Sequence, residues 1–403
     1  MKRVLIFSLT YYPRFIGGAE VAIKEITDRI APEDIEFHMV TLRLDSDLPR
    51  EEKIGNVIVH RIGMTRKAPT IADLQKFPIK WTKYWYQFAA ARAAGRLHRQ
   101  HHFDGTWAMM AHSCGIPAGI FKKRHPEVKY LLTLQEGDPP EHIERLARPV
   151  WPWFKRGFTS ADALQPISTF LKRWGERMGF TGEAEVIPNA VNTAHFSRSI
   201  TPEERATTRE AIGLAEGDVA LVTTSRLVKK NAVDDVIRAL AHLPENVHFV
   251  IYGIGPDEAM LRELARGQGV GSRTHFMGQI SHTEMPRALK SCDIFIRPSR
   301  SEGMGNSFIE AMTAELPVIA TQEGGIADFL FDAKRNPDKE STGWAVDHDS
   351  PEQIAEAVMN IMEHPEQVVR VKAAAKKLAS EKYDWNLIAT RMKALFDRLL
   401  VSG

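Results

Sequence analysis

The sequence has only two cysteines, Cys114 and Cys292, in 403 residues. They stand far apart, which excludes a disulfide framework and any zinc-ligand spacing and points to a reducing compartment. Neither sign of charge is in excess: 53 basic residues meet 51 acidic ones, for a formal net charge of +2. No global field therefore argues for a nucleic-acid partner. Long apolar runs are missing too. The opening run of "MKRVLIFSLTYYPR" ends at Leu9, too short for a signal-peptide core or a membrane span, and reads as a buried strand. A cytoplasmic protein is expected, with no membrane contact beyond a peripheral one at the inner face. No repeat of 20–50 residues and no low-complexity tract is found.

What is present is one alternation, written twice. At this length the chain exceeds a single core of roughly 250–300 residues, so two domains are expected. In the first half "RVLIFS", "FHMVTL", "NVIVHRI", "TWAMMA", "KYLLTL" and "DALQPIS" read as strands. Helical stretches separate them, such as Ala19 to Ile30 with Ala19, Ile23, Ile26 and Ile30 on one face. The second half repeats the pattern with "DVALVTTS", "NVHFVIYG", "RTHFMG", "DIFIRPS", "LPVIAT" and "GWAVD". Strands apolar on both faces and separated by helices predict an α/β protein with two doubly wound parallel sheets. The polar break "VIPNAVNTAHFSRSITPEER" divides the chain into residues 1–195 and 196–383, and the amphipathic tail, about 384–403, is expected to return to the first domain.

In such sheets ligands bind where strands end and helices begin. Gly17 and Gly18 precede a helix and offer unhindered N–H groups to an anion, although a plain tight turn reads the same way. Arg226, Lys229 and Lys230 follow a buried strand and suit a diphosphate, or else form a solvated basic loop. "YGIGPDEAM" holds Gly253 and Gly255 but lacks the third glycine of the dinucleotide fingerprint. The fourth loop, "PSRSEGMGNSFIEAMTAELPVIAT", carries two acids, Glu302 and Glu310. Ser307 and Glu310 fit a capping box closing a helix over residues 307–315, a purely structural reading. Glu302 lies outside that helix, and a carboxylate in a ligand-facing loop needs hydroxyls, a cation or water. N–H groups near Gly305 and Asn306 at the helix start suit phosphate. A nucleoside diphosphate-sugar fits all of these groups together.

These residues resemble the retaining family 4 glycosyltransferases of the GT-B fold, which has two Rossmann-like domains facing a cleft. "EGMGNSFIE" is similar to the family's Glu-x7-Glu motif, and "AMTAELPVIATQEGG" to its continuation. "VIPNAVNTAHF", "TTSRLV", "YGIGPDEAMLRELA" and "FMGQI" resemble its other landmarks in the same order. The resemblance implies that Glu310 binds the donor ribose and that Glu302 lies by the transferred sugar. It implies that Arg226 grips the diphosphate, with Gly303, Met304, Gly305, Asn306 and Ser307 beside it and Gly253 among the donor-binding residues. It assigns Gly17 and Gly18 to the phosphate and acceptor, and His112, in "WAMMAHSCG", to the sugar. The family's lysine, five residues after the arginine, is replaced by Asn231, so either Lys230 supplies the charge or asparagine serves as a neutral donor. Glu315 stands where the family has glycine.

The implied reaction is sugar transfer with retention, by front-face attack, to a glycan or lipid-linked acceptor. The leaving diphosphate is stabilised by cations and N–H groups, so no metal or other cofactor is expected beyond the sugar donor itself. A nucleotide-sugar epimerase, a phosphorylase or a non-catalytic binding module are the alternatives; no pyridoxal-phosphate lysine signature supports the phosphorylase. Three stretches read as structural. "DSD" at Asp45 to Asp47 is an exposed turn. Trp81, Tyr84, Trp85 and Phe88, with Lys80 and Lys83 nearby, form a core-facing stripe in preference to a membrane face. "HRQHH" is a solvated helix end, because no carboxylate joins His98, His101 and His102 to hold a metal. "WPWFKRGF" fits a membrane interface and packing under a loop equally.

Overall fold

Buried apolar runs and the helices between them gather into two units. The computed structural model describes residues 1–401 except 68, 70–72, 74, 75 and 78. One unit holds Met1–Asn189 with the C-terminal helix Trp385–Leu400, and the other holds Ala190–Asp384. Residues 190–195, read from the sequence as the end of the first domain, pack instead within the second. Val191 N donates to Tyr383 O over 2.9 Å and Thr193 Oγ1 to Asp384 over 2.5 Å, which ties this segment down.

The first unit has strands β1 (Lys2–Phe7), β2 (Ile35–Leu42), β3 (Glu51–Ile54), β4 (Val57–Ile62), β5 (Gly105–Met109), β6 (Lys129–Leu134), β7 (Ala163–Pro166) and β8 (Glu183–Ala184). Their order is β3-β4-β2-β1-β5-β6-β7-β8, parallel except for the β3–β4 hairpin. β3 is a polar edge strand, "EEKI", whose charges hid it among loop residues. The second unit has β9 (Val219–Thr224), β10 (Val247–Tyr252), β11 (Thr274–Gly278), β12 (Ile294–Arg297), β13 (Val318–Ala320) and β14 (Trp344–Ala345). They run parallel in the order β11-β10-β9-β12-β13-β14.

Each sheet reverses its order beside its first strand. β1 lies between β2 and β5, and β9 lies between β10 and β12. Connections leave such a point in opposite directions, which opens a crevice at the carboxyl ends of the two strands. The C-terminal helix covers the first sheet: Phe396 packs 5.9 Å from Phe37 and 5.4 Å from Trp107, ring to ring. Both cysteines are buried, and burial pushes each thiol up to about 12, which leaves them unreactive.

Three structural expectations are corrected. The aromatic stripe does not face the core: Trp81, Tyr84, Trp85 and Phe88 are all exposed, and Tyr86 is the residue the core takes. The Lys80 side chain lies outside the described residues. The Tyr86 hydroxyl donates to Ser8 O and Val40 O, which explains why an aromatic with a polar tip is preferred inside. In "DSD" Asp45 is buried, paired with Arg14 at 3.2 Å and accepting from Asp47 N. The histidines of "HRQHH" diverge. His98 turns to His125 and Glu127, so a carboxylate does complete a cluster there. Yet His98 Nδ1 accepts from Phe103 N at 3.1 Å, which places the ring proton on Nε2, the atom facing Glu127. That tautomer donates to a carboxylate and does not ligate a metal. In "WPWFKRGF", Phe154 and Phe158 are core and Trp153 is exposed.

Candidate functional site

At the switch point of the second sheet, β12 ends on an arginine. Arg297 is buried, and its guanidinium lies 4.3 Å above the Phe308 ring. It donates to Ser299 Oγ (3.1 Å), to Ser307 Oγ (2.8 Å) and to the Glu302 carboxylate. Burial lowers its pKa, and the nearby Glu302 and Glu310 charges oppose that. The cation that Glu302 requires therefore comes from its own strand. Glu302 Oε1 also takes the Gly303 N–H at 3.1 Å, so that N–H is turned to Glu302. The capping box is not formed. The helix runs Asn306–Thr313, Gly305 occupies the N-cap with φ 87°, and Ser307 is engaged by Arg297. A side chain at Gly305 would meet Phe308 at 2.6 Å and Arg297 at 2.8 Å, so only glycine fits. Glu310 instead faces His282, with Oε1 3.7 Å from Nε2. His282 stacks on His195 at 5.4 Å. Met304 is buried, and Asn306 Nδ2 reaches Ala190 O at 3.5 Å.

The neighbouring strand β9 leads to Arg226, which is exposed, and to Lys230, which is half-buried. Asn231 is corrected: its side chain is buried, and its amide donates to Arg226 O at 2.6 Å, so it shapes the loop and does not face a ligand. Arg300, which sequence reasoning missed, locks this loop to the next. Its N–H donates to Lys230 O (2.7 Å) and its guanidinium to Lys229 O (2.6 Å). Asp234, Asp235 and Asp349 surround it. Burial works against its charge, but their hydrogen bonds hold its pKa above the ordinary arginine value. Gly253 has φ 149°, and a Cβ there would sit 1.8 Å from Ser225 O, so its absence lets the β9 and β10 ends approach.

In the first sheet the switch point lies between β1 and β5. Gly17 caps the helix Gly18–Thr27, and its N–H donates to Glu20 at 2.9 Å. The other Glu20 oxygen accepts from Thr10 at 2.6 Å, so a protein carboxylate already takes one N–H expected for an anion. A side chain at Gly18 would meet nothing within 4 Å. After β5, Met110 adopts φ 71° and the chain makes a π-helical turn, Ala111–Gly115. Such turns and such φ values cost energy and cluster at functional sites. His112 lies on this turn, its side chain 43% exposed and its Nδ1 3.5 Å from Oε1 of Glu136, which is 1% exposed. Glu136 also accepts from His112 N (3.3 Å) and Gln135 N (2.9 Å). Glu136 was missed; a lone acid after "LLTLQ" gave no signal.

The residues the sequence singled out thus stand in two groups, each at the carboxyl edge of a switch point. Models of two families match the chain: glycosyl transferases group 1 over residues 204–378, and glycosyltransferase family 4 over residues 16–195. The chain belongs to the family 4 glycosyltransferases. The transferase is similar to the GDP-mannose-dependent monoacylated alpha-(1-6)-phosphatidylinositol monomannoside mannosyltransferase of Corynebacterium glutamicum. The two are 24% identical over 317 residues, 75% of this chain and 78% of that one. A GDP-mannose-dependent alpha-(1-6)-phosphatidylinositol monomannoside mannosyltransferase of Mycobacterium tuberculosis is 29% identical over 57% of this chain and 60% of its own length.

Among solved structures, sucrose-phosphate synthase from Thermosynechococcus elongatus superposes with TM-score 0.78 at 18% identity, covering 100% of both chains. Anabaena HepE, solved with UDP and glucose, gives 0.75 at 17% identity over 99% of this chain and 100% of that one. These likenesses show the GT-B fold. No helix among the described residues is long and apolar enough to cross a membrane.

Proposed function

We propose that this glycosyltransferase moves a sugar, with retention, from a nucleoside diphosphate donor to a hydroxyl of a glycan or lipid-linked acceptor, without a metal. The observation that carries the reading is the convergence at the β9–β12 switch point. Arg226 and Lys230 leave one strand, the Glu302–Glu310 loop leaves its neighbour, and Arg300 binds the two loops together. In the reaction the bond between the anomeric carbon and phosphate oxygen breaks, and the diphosphate keeps the electron pair. Arg226 and Lys230 stabilise that charge, as fixed donors do for any developing oxyanion. Glu310 accepts from the ribose hydroxyls. Glu302, held by Arg297, accepts from a sugar hydroxyl with its remaining lone pairs. The acceptor hydroxyl attacks the face the leaving group departs from, and its proton passes to the departing phosphate oxygen. His112 contacts the sugar, and the Gly17–Gly18 loop the phosphate and acceptor. The enzyme works in the cytoplasm, peripheral to the inner membrane face when its acceptor is lipid-linked.

Incubation with a set of radiolabelled nucleotide-sugars tests this reading. Slow donor hydrolysis with an anomer-retained product is expected. Epimerised donor would establish the epimerase alternative, and binding of every donor without turnover would establish a binding module.

A further inference from the structure

The helix Ile79–His101 has five lysines and arginines and no acid, and the helix Ile116–Arg124 has three and no acid. In a chain whose two signs of charge nearly balance, this is a local concentration of one sign. Three of these cations, Arg92, Arg96 and Arg124, line one pocket of about 390 Å³ with Trp85, Phe88 and two isoleucines. No acid lines it, and neither does any residue assigned to the reaction. All three arginines are exposed, and none makes an ion pair or a hydrogen bond among the described residues. Arg92 and Arg96 stand four residues apart on one helix, where like charges repel and cost stability. A bound anion would relieve that repulsion. Phosphate suits the site better than a carboxylate, because one guanidinium fork fills a carboxylate, whereas the oxygens of phosphate can meet several forks. The rest of the wall is apolar. Trp85 and Phe88 are 49% and 50% exposed, so their rings are open to a substituent on the phosphate.

We infer that this pocket binds a phosphate carrying an apolar or aromatic substituent, either a soluble organic phosphate or the headgroup of an anionic lipid. The arginines hold the phosphate, and the two rings and the isoleucines hold the substituent. The inference goes beyond the transferase reading and does not rest on it, because the pocket shares no residue with the donor loops or with His112.

Titration calorimetry of the full chain with inorganic phosphate and with phenyl phosphate tests the proposal. Phenyl phosphate should bind at least about fivefold more tightly, since its ring buries apolar surface. Arg92→Gln and Arg96→Gln change exposed residues, so both should fold normally, yet each should weaken phenyl phosphate about threefold to tenfold. Trp85→Ser should bring phenyl phosphate down to the affinity of phosphate. Cosedimentation with phosphatidylcholine vesicles, with and without phosphatidic acid, separates the two sources. Binding that requires phosphatidic acid and is lost in the arginine variants assigns the pocket to a lipid headgroup. Binding of phenyl phosphate without binding to those vesicles assigns it to a soluble organic phosphate. Binding of neither overturns the proposal, as does binding unchanged in both arginine variants. Measurable but equal binding of the two anions overturns it, and so does binding to vesicles that lack phosphatidic acid, which marks an apolar surface only. Phenyl phosphate weakened by Arg226→Ala and not by Arg92→Gln places the anion on the loop after β9 and overturns the proposal as well.

Discussion

Arg297 and Glu302 form an ion pair nearly closed to water, their side chains 8% and 13% exposed, at the end of β12. Removing one partner of such a pair leaves a charge without compensation, at about 3–5 kcal/mol. Glu302→Ala and Arg297→Met should each lower stability by that order, and the double variant by clearly less than the sum. Urea unfolding of the four proteins gives the coupling directly. Additive losses would mean that the pair does not hold the loop. Lost transfer in Glu302→Ala thus reflects folding as well as chemistry, and Glu302→Gln, which keeps the shape, is the variant for kinetics.

Glu310 is freed from a structural role by the absence of the capping box, since Ser307 is taken by Arg297. Glu310→Ala should weaken UDP or GDP binding by about 1–3 kcal/mol, the value of hydrogen bonds to a charged group. Its melting temperature should stay near that of the parent. Calorimetry and a thermal melt separate the two; a large fall in melting temperature with unchanged affinity would return Glu310 to structure.

Asn231 and Lys230 are neighbours with different tasks. The Asn231 amide is buried on Arg226 O, so Asn231→Lys must expel a lysine from the loop and strip that carbonyl of its donor. A cost of about 1–3 kcal/mol is expected, with reduced turnover. Lys230→Ala should instead lower turnover with little change in stability. Higher turnover in Asn231→Lys would show that the position accepts the cation after all.

Much of this was legible because buried parallel strands and their helices write a strong pattern. "DVALVTTS" and "NVHFVIYG" each hold an apolar run with polar residues mainly at the ends, and the loops after them follow by topology. The capping box misled, because "SFIE" satisfies its spacing while the true partner of Ser307, Arg297, stands in the preceding strand. Arg297 and Arg300 were hidden for a related reason: "IRPSRSE" reads as a polar strand end, and nothing local says that one arginine turns inward and the other spans two loops. The stripe on the helix Ile79–His101 failed differently. Helical spacing of Trp81, Tyr84, Trp85 and Phe88 shows that they share a face, not whether that face is covered.

Stability should fall on acidification before most carboxylates titrate. His38 is buried on β2, with Nδ1 3.0 Å from His60 Nε2, Nε2 3.1 Å from Glu36 Oε1, and the His101 ring 4.3 Å away. Burial pushes it down to about 4, and His101 and His60 act in the same direction against Glu36. Burial likewise lowers His60, despite Glu51, and His248 and His275 in the second unit. An unfolded histidine binds its proton near pH 6.5. Between that pH and about 4 the unfolded chain takes up protons that His38 refuses, so stability is full above pH 6.5 and declines toward pH 4. Urea midpoints at pH 7, 6 and 5 should fall in that order, and less steeply in His38→Gln. A flat profile would mean that the cluster is not kept neutral.

In the proposed reaction His112 contacts the sugar and not the nucleotide, and the acid that holds it is Glu136. Glu136 accepts the His112 backbone N–H at 3.3 Å and lies 3.5 Å from the ring Nδ1, so it fixes where the ring sits. An imidazole nitrogen suits a sugar hydroxyl, whose position matters most as positive charge develops at the anomeric carbon. His112→Ala should therefore hold UDP or GDP affinity within about twofold while lowering the single-turnover transfer rate by about 10²-fold, the usual range for a positioned histidine. Glu136→Gln should lower the same rate less, because the amide oxygen still accepts the His112 backbone N–H but the charge beside the ring is gone. His112→Gln, which retains an acceptor but not the ring, should fall between the parent and the alanine variant. Weaker nucleotide binding in His112→Ala with unchanged transfer at saturation would assign the residue to the donor's diphosphate and sink the sugar contact.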